Sequence, residues 1–186
     1  MSTPNPTAQR LHPTDAADYR ALMLDAYARR PDAFTSTDAE RASLPLAWWR
    51  SRLAEGERPA EMVLGVRREG RLDAVAGLAF EKRERLRHKA LLFGMWVAPE
   101  ARRRGVGRTL VEAVLAQAGA RAGIALVQLT VTQGNLEAQA LYERCGFRPF
   151  GIEPMAVAAG ETGHFVAKVH MWCNIAGPAR ATPPAP

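Results

Sequence analysis

From Val97 to Leu110 the chain reads Val-Ala-Pro-Glu-Ala-Arg-Arg-Arg-Gly-Val-Gly-Arg-Thr-Leu, an apolar run that passes through a bend into a helical pattern. Gly105 and Gly107 let backbone come close to a ligand, and the first N–H groups of the helix have no partners within it. Such a bend is an anion cradle, strengthened by the helix dipole. Arg102, Arg103, Arg104 and Arg108 add positive charge around it, and a pyrophosphate is the natural occupant. A Walker loop would need Lys and then Ser or Thr after the last glycine, and a dinucleotide fingerprint would need glycine or alanine where Leu110 stands. The remaining alternative is a connection whose glycines only turn tightly.

A second segment, Val131-Thr-Gln-Gly-Asn-Leu-Glu-Ala-Gln-Ala-Leu-Tyr-Glu-Arg-Cys-Gly-Phe147, puts Asn135 and Tyr142 two helical turns apart on one face. Each residue also has a plainer role: Asn135 as a helix cap and Tyr142 as core.

The elements that must position these residues are legible from periodicity and punctuation. Thr7 to Leu11 reads as a short strand, and Thr14 or Asp15 caps a helix to about Ala28. Residues 31–37 form a loop, and Leu46 to Leu53 a second helix bearing Trp48 and Trp49. Met62 to Arg67 and Leu72 to Phe80 form a hairpin. Leu91 to Val97 has the composition of a strand covered on both faces. A helix from Gly105 to about Ala118, a strand from Leu126 to Val131 and a helix from Asn135 to Arg144 follow, the last closed by Gly146 in a left-handed cap. Phe147 to Val157 and Phe165 to Trp172 read as the final strands. There is no internal repeat or linker, so the fold class is α+β in one domain, residues 7–175, with disordered ends at 1–6 and 176–186.

At 186 residues, 47% hydrophobic and 24% charged, the composition suits a globular protein. Nothing reads as a signal peptide or a membrane span, so the expected location is cytoplasmic. Cys145 and Cys173 fit a reducing compartment as small buried hydrophobes and supply no metal site. The net charge of +6 is carried almost entirely by arginine. A nucleic-acid-binding module would spread such charge along an exposed face with aromatics between, whereas here the triplet is tied to a glycine bend.

Together, Arg102-x-x-Gly105-x-Gly107 followed by Asn135, Leu141-Tyr142-Glu143 and Gly146-Phe147 resembles the GCN5-related N-acetyltransferase (GNAT) family over roughly Leu72 to Met171. The resemblance implies a central mixed, mostly antiparallel sheet flanked by helices. It also implies acetyl transfer from acetyl-CoA, as co-substrate, to a primary amine of a small molecule or peptide. Met95, Trp96 and Val97 would run beside the pantetheine arm, with a main-chain N–H near Val97 polarising the thioester carbonyl. N–H groups from Arg103 through Arg104, Gly105, Val106 and Gly107 to Arg108 would hold the pyrophosphate, with Thr109 at its edge. Asn135 would contact the coenzyme arm and Tyr142 would be the general acid. A thiolate whose conjugate acid has a pKa of about 8.5 is a poor group to expel bare, and a phenol of pKa about 10 can share its proton. No protein nucleophile is required, and no metal.

The attacking amine must be neutral. Some family members carry a glutamate twelve residues before the tyrosine, where this chain has Thr130. Glu81, Glu84, His88 or a water relay are the alternatives for the base. Phe34, Thr35, Ser36, Trp48 and Trp49 would wall the acceptor site, and Glu81 with Glu84 beside them would suit a cationic amine. A homodimer would be unsurprising for this fold. The alternative within the same fold is a coenzyme-A-binding regulator without catalysis, for which Thr130 speaks and Tyr142 does not.

Overall fold

The computed structural model describes residues 6–53, 55–159 and 164–177. Seven strands form one sheet: β1 (Ala8–Arg10), β2 (Glu61–Arg68), β3 (Arg71–Phe80), β4 (Lys89–Val97), β5 (Leu126–Thr132), β6 (Arg148–Ala159) and β7 (His164–Asn174). Their order is β1-β2-β3-β4-β5-β7-β6. Only β4 and β5 pair in parallel, as the βα crossover between them dictates, and every other pairing is antiparallel. The sheet is therefore mixed and mostly antiparallel, as expected.

Five helices cover it: α1 (Ala16–Arg29), α2 (Asp38–Ala42), α3 (Leu46–Ser51), α4 (Val106–Ala120) and α5 (Leu136–Arg144). The faces follow from sequence spacing. Tyr19, Met23, Ala26 and Tyr27 of α1 join Trp49 of α3 and Trp96 of β4 in one core. Val106, Leu110, Val111, Val114 and Ala118 of α4 pack on the other face of the sheet with Tyr142 of α5. No helix among the described residues is long and apolar enough to cross a membrane.

Three sequence readings change. Helix α2 was not expected, although Thr37 accepts from Glu40 N–H and the Glu40 carboxylate from Thr37 N–H, a capping box legible as Thr-x-x-Glu. Pro31–Ala33, inside the expected loop, is a 3₁₀ turn. Strand β4 is not covered on both faces: Leu91 is 45% exposed, and Phe93, Met95 and Val97 are half-buried because they face an opening in the sheet. Of the ends expected to be disordered, residues 1–5 and 178–186 lie outside the described residues.

Candidate active site

The opening arises where β4 and β5 part. They pair only from Lys89 to Leu91 against Leu126 to Gln128, and their C-terminal halves diverge. A bulge in β4 turns it away: two residues, Gly94 and Met95, stand against one of β3, and Gly94 sits at φ 57, a conformation that glycine adopts freely. The resulting cleft has a volume of about 420 Å³. Of the residues expected to hold the coenzyme, Met95, Trp96, Val97, Arg102, Arg103, Gly105, Val106, Gly107, Arg108, Asn135 and Tyr142 line it, and Arg104 and Thr109 do not.

The bend itself is held from below and open above. Ala98 N–H donates to Asp73 O at 2.8 Å, and Arg102 Nε donates to Val97 O at 3.1 Å while its guanidinium lies 5.0 Å over the Trp96 ring. Gly105, the N-cap of α4, has φ 78, and no side chain caps the helix. The helical ladder begins with Thr109 N–H to Gly105 O, which leaves the N–H groups of Val106, Gly107 and Arg108 outside it. Gly107 leaves little room for a side chain: a Cβ there would lie 3.0 Å from Leu141 Cδ2 and 3.6 Å from Met95 Cε. Arg108 is paired with Glu112 at 2.7 Å, so its side chain is partly committed within the helix.

Opposite the bend, Asn135 Oδ1 accepts from Ala138 N–H at 3.3 Å as the cap of α5. Tyr142 is 7% exposed, and its hydroxyl donates to Met95 Sδ at 3.5 Å. Burial, with a smaller push from Cys145, raises its pKa well above the usual tyrosine value, so the phenol holds its proton. The plainer roles of Asn135 and Tyr142 thus hold together with a place on the cleft. Gly146 closes α5 at φ 93, as its sequence position implied. Cys145 is half-buried and Cys173 buried, and burial raises both thiols, so neither is poised as a nucleophile.

The proposed bases are elsewhere. Glu81 N–H donates to Lys89 O at the far end of β4, six residues or roughly 20 Å from Met95 at the rise of a strand. Arg83 and the neighbouring backbone N–H groups bind the Glu81 carboxylate and hold it down to about 2. Glu84 and His88 occupy the same loop end. None of the three lines the cleft, so the cationic amine argued from Glu81 and Glu84 loses its support. Of the expected acceptor wall, only Phe34 lines it. Trp49 is core at 1% exposure, Trp48 lies between the Arg41 and Arg52 guanidiniums, and Ser36 accepts from Arg41.

Two polar arrangements beside the cleft escaped the sequence reading. Thr132 Oγ1 donates to Asp32 O at 2.8 Å and Lys168 Nζ to Ala33 O at 3.1 Å, so adjacent residues of β5 and β7 fasten the 3₁₀ turn that carries Phe34. Burial lowers the Lys168 pKa, with Asp32 and Glu153 pulling the other way. Beside them, His170 Nε2 lies 2.8 Å from Glu153 Oε2. Spacing along one strand gives no sign of either, because each joins residues far apart in the chain.

A sheet parted between two parallel strands, with bare helix N–H groups on one side and a buried phenol on the other, defines a coenzyme-A-dependent acyltransferase fold. Residues 21–147 match the model of the acetyltransferase (GNAT) family, and the chain belongs to that family. It is an acetyltransferase with acetyl-CoA as co-substrate. Among solved structures it is similar to a GNAT acetyltransferase from Streptococcus pneumoniae at 22% identity and TM-score 0.76, covering 91% of this chain and 99% of that one. It is also similar to YncA from Salmonella typhimurium, solved with its cofactor acetyl-CoA, at 19% identity and TM-score 0.74 over 98% of this chain and 100% of that one. A third is the ribosomal-protein-alanine N-acetyltransferase from Brucella melitensis, at 23% identity and TM-score 0.71 over 90% and 98%. At these identities the likeness is one of fold.

Proposed function

We propose that the chain moves the acetyl group of acetyl-CoA directly onto a primary amine of a small molecule or peptide, with Tyr142 as the general acid. The observation that carries this reading is the buried, protonated Tyr142 hydroxyl at Met95, across from a helix start that no side chain caps. The N–H groups from Arg103 to Arg108 would hold the pyrophosphate, with Thr109 at its edge. Asn135, its Oδ1 engaged by the cap, would offer its amide NH₂ to the coenzyme arm. Met95, Trp96 and Val97 would flank that arm, and an N–H near Val97 would stabilise charge growing on the carbonyl oxygen.

In the reaction the amine nitrogen bonds to the acyl carbon as the carbon–sulfur bond breaks, and the bonding pair leaves on sulfur. Tyr142 faces that sulfur. Its phenol is a weaker acid than the thiol being released, so it stabilises the leaving group by sharing its proton. The surplus proton of the amine passes to a base.

A cytoplasmic setting and a homodimer belong to the same reading. Both cysteines are free, and the exposed Phe150, Ile152 and Met155 of the edge strand β6 are what a second copy would cover, which sedimentation velocity checks. The deciding experiment follows thiol release from acetyl-CoA with amino acids, polyamines, aminoglycosides and peptide N-termini. Release above the rate of hydrolysis with at least one amine is expected. No release with any, despite binding of acetyl-CoA in calorimetry, would turn the reading toward a coenzyme-A-binding regulator.

A further inference from the structure

Direct acyl transfer needs a proton acceptor where the amine arrives, and the register of the sheet locates one. Val127, Leu129 and Val131 of β5 point into the core under α4, so Gln128, Thr130 and Thr132 point to the opposite face. Thr130 and Thr132 line the cleft there. Directly across from Thr130 on β7 is His170, and across from Thr132 is Lys168. Opposed residues of an antiparallel pair have Cβ atoms about 5 Å apart on one face. His170 is not itself among the residues that line the cleft; it stands one strand beyond Thr130, which does, so its imidazole reaches an amine through a water at that edge.

The pairing of His170 suits it to the task. With its Nε2 held 2.8 Å from Glu153 Oε2, a neutral ring keeps its proton on that nitrogen, and the lone pair resides on Nδ1. The Phe150 ring packs edge-on against the imidazole at 5.8 Å and fixes its plane. At 34% side-chain exposure the ring remains accessible. The charged groups around it are Glu153 and Arg148 on β6, Lys168 on β7, and Asp32 with Arg30 at the adjoining turn. Lys168 is not a rival, since its ammonium is buried and donates to Ala33 O. The other histidines are remote: His12 pairs with Glu55, His88 is at the far end of β4, and His164 begins β7.

We propose that His170 is the general base, with Glu153 as the residue that positions it. This rests on the acyl-transfer reading above. As the nitrogen–carbon bond forms and the carbon–sulfur bond breaks, Nδ1 takes the amine proton through that water, Glu153 steadies the imidazolium, and the departing sulfur draws on the Tyr142 proton.

The test takes the fastest amine from the panel and follows kcat/KM against pH for wild type, His170→Gln and Glu153→Gln. His170→Gln should lower kcat/KM at neutral pH by roughly 10²–10⁴-fold and remove the acid limb, while calorimetric affinity for acetyl-CoA stays unchanged. Glu153→Gln should cause a smaller loss that falls on kcat rather than on KM, since the imidazole loses the partner that orients it. Adding Thr130→Glu to His170→Gln, which puts a carboxylate on the facing strand, should restore part of the rate, a recovery that a purely structural role for His170 would not produce. Wild-type kcat/KM and an unchanged acid limb in His170→Gln overturn the assignment while leaving acyl transfer standing. Absence of thiol release in the wild type overturns both.

Discussion

The Tyr142 hydroxyl donates to Met95 Sδ at 3.5 Å, joining α5 to β4 across the place where the central strands part. One hydrogen bond thus brings together two segments that lie far apart in the chain. A thioether is a weak acceptor, so the phenol gives it up readily to a stronger one, such as a developing thiolate.

Tyr142→Phe should lower kcat by roughly 10²–10⁴-fold and leave the affinity for acetyl-CoA within a few fold, because only the hydroxyl is removed. Steady-state thiol release and calorimetry measure the two quantities. Loss of affinity with kcat intact would reassign the tyrosine to binding.

The two glycines of the bend should fail in different ways. Gly107→Val would drive Leu141 from its place beside Tyr142, weakening acetyl-CoA binding by tenfold or more, about 1–3 kcal/mol of overpacking. Gly105→Ala meets nothing within 4 Å but must hold φ 78, which costs about 1–2 kcal/mol of stability. Urea unfolding beside acetyl-CoA titration separates strain from clash, and equal effects of both variants on both assays would contradict this account.

Glu81→Gln should leave kcat and its pH profile as in wild type. The carboxylate is held at about 2 by Arg83 and lies at the far end of β4, so it can take no proton in the working pH range. A displaced acid limb in this variant would restore Glu81 to the site.

Alkaline pH should destabilise the fold through its buried phenols. Burial, eased slightly by Arg52, pushes Tyr19 up to about 12, and Tyr142 is raised as well. Above pH 10 the unfolded chain releases phenolic protons that the folded chain retains. Stability is therefore complete below about pH 10 and falls as pH rises to about 12, by about 2–3 kcal/mol for Tyr19. Melting temperatures from pH 8 to 12 test this, and Tyr19→Phe should flatten the decline; an equal slope in the variant would refute it.

Local chemistry was legible where it depends on neighbours in the chain. The capping role of Asn135, the left-handed Gly146, and the core faces of α1 and α4 all follow from spacing. The capping box of Thr37 and Glu40 is a pattern of the same local kind, as is the lone Gly94 within an apolar strand, a signature of a bulge. Glu81, Glu84 and His88, named beside a water relay as alternatives for the base, lie away from the cleft for a different reason. Strand ends are legible in the sequence, but which end of β4 opens depends on its pairing with β5.

By itself the sequence determined an anion-binding bend and, through the family it resembles, the class of chemistry. A bend with free amides and a tyrosine two turns beyond a capping asparagine are local patterns, fixed by backbone geometry within a few residues. The tertiary structure alone decided who stands on the acceptor side, because strand register sets His170 against Thr130, and Lys168 against Thr132, across about forty residues of intervening chain. Alternation along a strand tells which residues share a face; only pairing between strands tells which of them meet.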